Sequence, residues 1–178
     1  MSVKSEDPVF YHARKPPTVL FAHGKESGPW GEKIVALAEV ARKHGYESES
    51  PDFMGIDDPE ARVKLLLKAA FAKQSPFILV GSSMGGYVAL RASAMLQTVG
   101  LFLMAPAIGI PGYQEPHPVP ACNKMTIIHA WKDELIPAKN VIEYAENYQA
   151  ELHLLNSDHR LSGQIPLLVK LFDSFIGR

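Results

Sequence analysis

Phe77-Ile78-Leu79-Val80-Gly81-Ser82-Ser83-Met84-Gly85-Gly86 runs directly into Tyr87-Val88-Ala89-Leu90-Arg91-Ala92. Four apolar residues, enough for a buried strand, meet Gly-x-Ser-x-Gly, and a helix-compatible segment follows with no linker between. Strand, sharp turn bearing a serine, then helix is the geometry of a nucleophile elbow. A turn this tight strains the serine backbone, which only small neighbours such as Gly81 and Gly85 permit. In that geometry the Ser83 hydroxyl projects into a cleft, and the first helical N–H groups point at charge developing beside it.

The rest of the chain repeats the same grammar. Residues 18–22 read as a buried strand that ends at His23-Gly24. A helix is predicted over residues 31–44, with Ile34, Leu37, Ala38 and Ala41 on one face and Gly45 closing it. Residues 46–50 form a more polar strand candidate. Asp58-Pro59 then supplies an N-cap followed by proline at the first helical position, and Val63, Leu66, Leu67 and Ala70 form the buried face of that helix. Strands are predicted at 99–104, 125–130 and 152–155. Helices follow Pro137 (Val141, Tyr144, Ala145, Tyr148) and run through Ile165, Leu168, Val169 and Phe172. Strands alternating with amphipathic helices indicate an α/β fold, a mostly parallel sheet of about six or seven strands covered on both faces. Residues 1–17 are polar, end in Pro16-Pro17 and hold a candidate edge strand at 9–12; residues 18–178 read as one domain. The proline-rich stretch 106–124 is the one long connection without periodicity, and it lies beyond a strand end, where ligands bind in such sheets.

Composition narrows the classes of function. The chain has 178 residues, 47% hydrophobic and 21% charged, which fits a globular protein with a substantial core. A net charge of −1 points neither to nucleic acid nor to an anionic membrane as partner. The single Cys122 and the lack of zinc-type cysteine spacing suggest a reducing compartment. Residues 1–7 carry Lys4, Glu6 and Asp7 with no apolar core, so they do not read as a secretory signal, and no apolar run approaches membrane-spanning length; a cytoplasmic location is the expectation.

A serine hydroxyl needs a base to take its proton, and the base works best when a carboxylate holds it. Of seven histidines, His159 lies just beyond the last strand, where its loop can return to the elbow. His129 and His153 fall within strands and read as hydrogen-bonded core residues; His44 sits at a helix end, where it can meet the final carbonyls. His117, in the proline-rich loop, is the rival base. Asp133 follows a buried strand on the same sheet edge as Ser83 and His159. Asp52, Glu134 and Asp158 are the other carboxylates near strand ends. The order Ser83, Asp133, His159 is the one expected when these groups occupy successive strand-end loops. The oxyanion donors would be the backbone N–H groups of Met84 and of Lys25, with Gly24 allowing close approach and His23 bracing the turn. Trp30, Trp131 and Ile136 are candidate pocket walls, and the Lys25 or Arg160 side chain would attract an anionic substrate.

Phe21-Ala22-His23-Gly24, Gly81-Ser82-Ser83-Met84-Gly85-Gly86, the Asp133 loop and the Asp158-His159 loop together resemble the α/β-hydrolase superfamily, in particular its compact, lidless esterases and acyl hydrolases. The resemblance implies a minimal three-layer hydrolase fold without an inserted lid, with Ser83 as nucleophile, His159 as base and Asp133 as acid. It implies no metal and no organic cofactor, and a small-molecule ester or thioester as substrate, with preference for short acyl groups. Lys25 stands where lipase-like members carry extra glycines, which argues against a true lipase. A hydrolase-fold interaction protein, and a C–C hydrolase or peptidase using the same three side chains, are the competing classes.

Overall fold

The computed structural model describes residues 16–73 and 75–177. The candidate edge strand at residues 9–12 lies outside them. Among these residues lie eleven elements, strand and helix alternating except between β4 and β5: β1 (Thr18–Ala22), α1 (Glu32–Lys43), β2 (Ser48–Glu49), α2 (Pro59–Phe71), β3 (Phe77–Ser82), α3 (Met84–Ser93), β4 (Thr98–Met104), β5 (Met125–Ala130), α4 (Ala138–Asn147), β6 (Glu151–Leu155) and α5 (Ile165–Ile176). The six strands form one all-parallel sheet in the order β2-β1-β3-β4-β5-β6. The inner strands are continuous apolar runs because both of their faces are covered, whereas the edge strands β2 and β6 are only half-buried.

Strand pleating sorts the core into two layers. Leu20, Leu79, Leu101, Leu103 and Ile127 point to one face, where they meet Val63 and Leu66 of α2, Tyr87 and Leu90 of α3, and Val141 and Tyr144 of α4. Val19, Phe21, Ile78, Val80, Phe102 and Ile128 point to the other, against Ile34 and Leu37 of α1 and Leu168, Phe172 and Phe175 of α5. Phe102 packs against the rings of Phe172 and Phe175 at centroid distances of 5.0 and 5.5 Å. Five helices on two faces of the sheet make the three-layer α/β fold.

Local signals explain two of the helix ends. Asp58 caps α2 by accepting from the Glu60 and Ala61 N–H groups at 3.1 and 3.2 Å. Gly45 follows α1 with φ of +77°, a conformation glycine adopts freely. Other expectations are corrected. The polar strand expected at 46–50 shrinks to Ser48–Glu49 because only two residues pair with β1 at the sheet edge. Leu67 is half-buried and Tyr148 is 37% exposed, since each lies at the margin of its helix's apolar stripe. His44 does not turn to the helix carbonyls; its Nε2 meets Asp173 of α5 at 2.8 Å. His153 is not a core residue, because β6 is an edge strand and the ring pairs with Glu151 at 3.0 Å.

The elbow is the tightest place in the fold. A Cβ on Gly85 would overlap the Ala22 carbonyl oxygen of β1, and one on Gly81 would overlap the Gly85 carbonyl. Gly85→Ala is therefore expected to lower stability by about 3 kcal/mol, read as a drop in the urea midpoint with an unchanged slope; a midpoint within error of the parent would remove the packing argument.

Candidate active site

Ser83 joins β3 to α3 with φ 54° and ψ −122°, a left-handed conformation that a serine rarely adopts. Its backbone is held on both sides. The Ser83 N–H donates to the Met104 carbonyl at 3.0 Å, and its own carbonyl accepts from Gly86 and Ala107 at 2.9 and 3.0 Å. These bonds fix the turn, so the side chain leaves it in one direction.

Two further loops converge on that hydroxyl. His159, in the loop after β6, approaches it with Nε2 at 2.9 Å from Ser83 Oγ, while Nδ1 lies 2.7 Å from Asp133 Oδ2. Nδ1–H donates to the carboxylate, which leaves Nε2 as acceptor for the serine proton. Asp133, in the loop after β5, is buried. Its other oxygen, Oδ1, accepts from the Leu135 and Ile136 N–H groups at 3.0 and 2.8 Å. Burial by itself would raise the Asp133 pKa. The hydrogen bond from His159 and the two amides outweigh it and hold the carboxyl below its usual range. Chemically, the arrangement is a hydroxyl facing a base whose tautomer and orientation are fixed by an ionised acid.

The loop after β1 completes the surroundings. His23 is wholly buried; its Nε2 accepts from the Phe53 N–H at 2.8 Å, so Nδ1 carries the proton and donates to the Gly24 carbonyl at 2.8 Å. That carbonyl also accepts from Arg62 at 3.2 Å. The 24–25 peptide is trans, so the Lys25 N–H is directed opposite to the pinned Gly24 carbonyl. Gly24 sits against Ser83, since a Cβ built on it would lie 3.5 Å from the Ser83 Cβ. Neither the Lys25 nor the Met84 N–H donates to an acceptor among the described residues.

Other candidates fall elsewhere. His117 is exposed in the proline-rich loop, and Asp158 accepts from the Ser162 N–H and hydroxyl. Asp52 and Glu134 are exposed, Asp52 lying 3.8 Å from His23. Trp30 and Trp131 are 51% and 58% exposed, Ile136 is buried with its amide on Asp133, and none of the three lines the cleft beside the elbow. The Lys25 ammonium is paired with Asp57 at 3.3 Å. Among the described residues, no cluster of three His, Cys, Asp or Glu side chains could hold a metal.

Sequence reasoning missed two cations drawn into the fold, Arg62 buried and Lys33 half-buried. Arg62, 1% exposed, donates to the carbonyls of Ile56, His23 and Gly24 and lies 5.6 Å over the Phe53 ring. Lys33 bonds Ser82 Oγ and the Arg160 carbonyl. Each had a legible signal. Arg62 precedes Leu66 and Ala70 at four-residue steps, and Lys33 precedes Leu37 and Ala41 likewise, so both share an apolar stripe.

Comparison with known proteins supports the same fold. Residues 41–172 match the family model described as serine aminopeptidase, S33. A protein of the alpha/beta hydrolase superfamily from Xanthomonas campestris pv. campestris is similar at 35% identity and a TM-score of 0.84, over 91% of this chain and 99% of that one. Est1E from Butyrivibrio proteoclasticus is similar in fold at 16% identity and a TM-score of 0.73, over 93% and 88% of the two chains; it has been described with ferulic acid bound. The esterase Pf2001 of Pyrococcus furiosus is similar at 22% identity and a TM-score of 0.66, over 90% and 81%. No curated protein matches the chain. No helix of the described residues is long and apolar enough to cross a membrane.

His129 supplies a pH-dependent component of stability. Its ring is fully buried, Nε2–H donates to the Ile136 carbonyl at 3.1 Å, and Nδ1 has no partner. Burial pushes its pKa below the ordinary 6.5, more strongly than the nearby Asp133 raises it. His23 is depressed for the same first reason. The unfolded chain therefore binds more protons as pH falls below 6.5, so these groups stabilise the fold above that value and lose this contribution below it. The urea midpoint is expected to fall between neutral pH and mildly acidic pH, and less steeply in His129→Gln; an identical slope in parent and variant would refute the assignment.

Proposed function

The chain belongs to the α/β-hydrolase superfamily, in the family described as serine aminopeptidase, S33, and on that basis we propose that it is a serine hydrolase cleaving a small soluble ester or thioester through an acyl-serine intermediate. The observation that carries this reading is the hydrogen-bond chain Ser83 Oγ, His159, Asp133, with links of 2.9 and 2.7 Å. A neutral imidazole in that position takes the serine proton as Oγ attacks the carbonyl carbon. The carbonyl π bond becomes an oxyanion, and the Met84 and Lys25 N–H groups are its donors. Losing one such donor costs on the order of 3 kcal/mol of barrier in comparable sites. The imidazolium then protonates the departing alcohol or thiol, leaving Ser83 acylated. Water, deprotonated by the same ring, attacks the acyl carbon, and the returning proton frees Ser83 Oγ and releases the acid. Asp133 keeps the ring in the Nδ1–H tautomer throughout and stabilises its charged form. No step requires a metal or an organic cofactor.

Residues 18–178 act as one catalytic domain in this reading, without a lid. Short soluble acyl groups are therefore preferred, with no interfacial activation. Est1E, which shares the fold, has been described with ferulic acid bound, in keeping with a small ester-derived ligand. The family description supports a second reading, peptide-bond cleavage on the same three side chains. An aminopeptidase must hold a protonated amine, however, and the cleft beside the elbow is lined by Lys33 and Arg160 against a single acidic residue, Glu32, which favours the ester.

A fluorophosphonate probe is expected to label the parent protein and not Ser83→Ala, and short p-nitrophenyl esters should be turned over. Asp133→Asn should fold normally yet lose about 10⁴-fold in kcat. Labelling that survives in Ser83→Ala, or an unchanged kcat in Asp133→Asn, would sink the assignment. Faster release from aminoacyl p-nitroanilides than from esters would favour the peptidase.

A further inference from the structure

A cleft of about 320 Å³ opens between the first turn of α1 and the loop that follows β6. Neither Ser83 nor His159 lines it, but Gly24 bridges the two places: a Cβ built on Gly24 would lie 3.5 Å from the Ser83 Cβ and 3.6 Å from the Oγ of Ser27, a wall of the cleft, whose other walls include Ser82 and Arg160. Its two cationic residues share one peculiarity, the lack of a carboxylate partner. Lys33 Nζ donates to Ser82 Oγ at 3.3 Å and to the Arg160 carbonyl at 3.0 Å, both neutral acceptors, and forms no ion pair among the described residues. The Arg160 guanidinium has no hydrogen-bond or ion-pair partner among them either.

The negative groups nearby do not fill this role. Glu32 lines the cleft as an exposed residue in the first turn of α1. The Asp158 carboxylate accepts from the Ser162 N–H at 3.1 Å and from its hydroxyl at 3.0 Å. Burial pushes the Lys33 ammonium below the ordinary lysine range; Asp158 opposes the shift and Arg160 adds to it. A half-buried ammonium whose hydrogen bonds go only to neutral oxygens carries a desolvation cost that an anion in the cleft would offset. Lys25, the other cation by the elbow, is already paired with Asp57.

We propose that this cleft is the subsite for an anionic oxygen group, carboxylate or phosphate, carried on one half of the substrate, with Lys33 and Arg160 as its counter-charges. The inference rests on Ser83 being the nucleophile and narrows its substrates to charged esters. It also gives the half-buried lysine a purpose beyond a structural clamp across Ser82 and Arg160.

The test compares kcat/KM within charged and neutral pairs, the first two of them isosteric: p-nitrophenyl hemiglutarate against p-nitrophenyl glutaramate, acetoxyacetate against acetoxyacetamide, and acetoxyethyl phosphate against acetoxyethanol. The charged member of at least one pair should be favoured about tenfold or more at low salt, with the preference shrinking as salt is added. The pair that shows it identifies carboxylate or phosphate, and acyl or alcohol side. Lys33→Gln should cut that ratio about tenfold, and Lys33→Arg should keep most of it. Ratios near one in all three pairs, or a ratio unchanged in Lys33→Gln, would overturn the proposal. Should Lys33→Gln not fold, Arg160→Gln, on an exposed residue, carries the same comparison. If no ester is turned over and the fluorophosphonate leaves Ser83 unlabelled, the nucleophile reading fails on its own. Calorimetric titration of parent and variant with glutarate and with inorganic phosphate then decides the subsite. Saturable binding weakened in the variant upholds it, and no binding to the parent removes it.

Discussion

The close approach of α3 to β1 is the constraint on which the site depends. Gly85 lies so near the Ala22 carbonyl that no side chain fits between them, and this proximity lets the chain turn from strand to helix within one residue. Ser83 absorbs the turn with a positive φ. The cost of that conformation is met by the bonds to Met104, Gly86 and Ala107 and by the packing of α3, whose Tyr87, Val88, Ala89 and Leu90 are wholly buried. The strain is thus locked in by the core, and the hydroxyl direction inherits the rigidity of the sheet rather than the mobility of a loop.

Two cations, Arg62 buried and Lys33 half-buried, extend this order to the neighbouring loops, one from each face of the sheet. Arg62 reaches from α2 to the carbonyls of His23 and Gly24, and Lys33 reaches from α1 to Ser82 and the Arg160 carbonyl. Both meet neutral oxygens of the protein. A charged donor makes stronger bonds to backbone carbonyls than a neutral one, and a cation without a carboxylate partner leaves a positive potential beside the elbow. Apolar residues at these positions would pack more cheaply, but they would leave the Gly24 and Arg160 carbonyls without these donors. Both charges therefore also order the loops they hold.

The sequence made the sheet and the elbow legible because both depend on local pattern. Apolar runs of strand length, helical spacing and the Gly81–Gly85 context carry their meaning within a few residues. Ser83, Asp133 and His159 were legible for a related reason: each lies in the connection that follows a strand of a parallel sheet, so the topology sends all three to one edge. What was not legible depends on three-dimensional neighbours. Arg62 and Lys33 share the apolar stripes of their helices, but which carbonyls and hydroxyl they reach shows only when those helices are laid on the sheet. His153 could not be told from a core residue because nothing in residues 151–155 says that β6 lies at an edge. The two tryptophans drew notice as aromatic residues near functional loops, but their exposure is set by how those loops lie on the surface.

His129 shows how the same carboxylate can serve one imidazole and not another. Its Nε2 comes within 3.7 Å of the Asp133 oxygen that His159 uses. Were it protonated, it would compete for that charge and weaken the hold on His159. Burial prevents this, because the ring is sealed from water and its Nε2–H is engaged by the Ile136 carbonyl. The Ile136 amide on the same short loop donates to Asp133. One turn of backbone thus supports the ionised acid and occupies the rival ring. His159, 17% exposed at its side chain, keeps both the carboxylate on one nitrogen and the hydroxyl on the other. The division between a buried imidazole engaged by a backbone carbonyl and one that bridges carboxylate and hydroxyl follows from depth in the sheet, with both rings near a single aspartate.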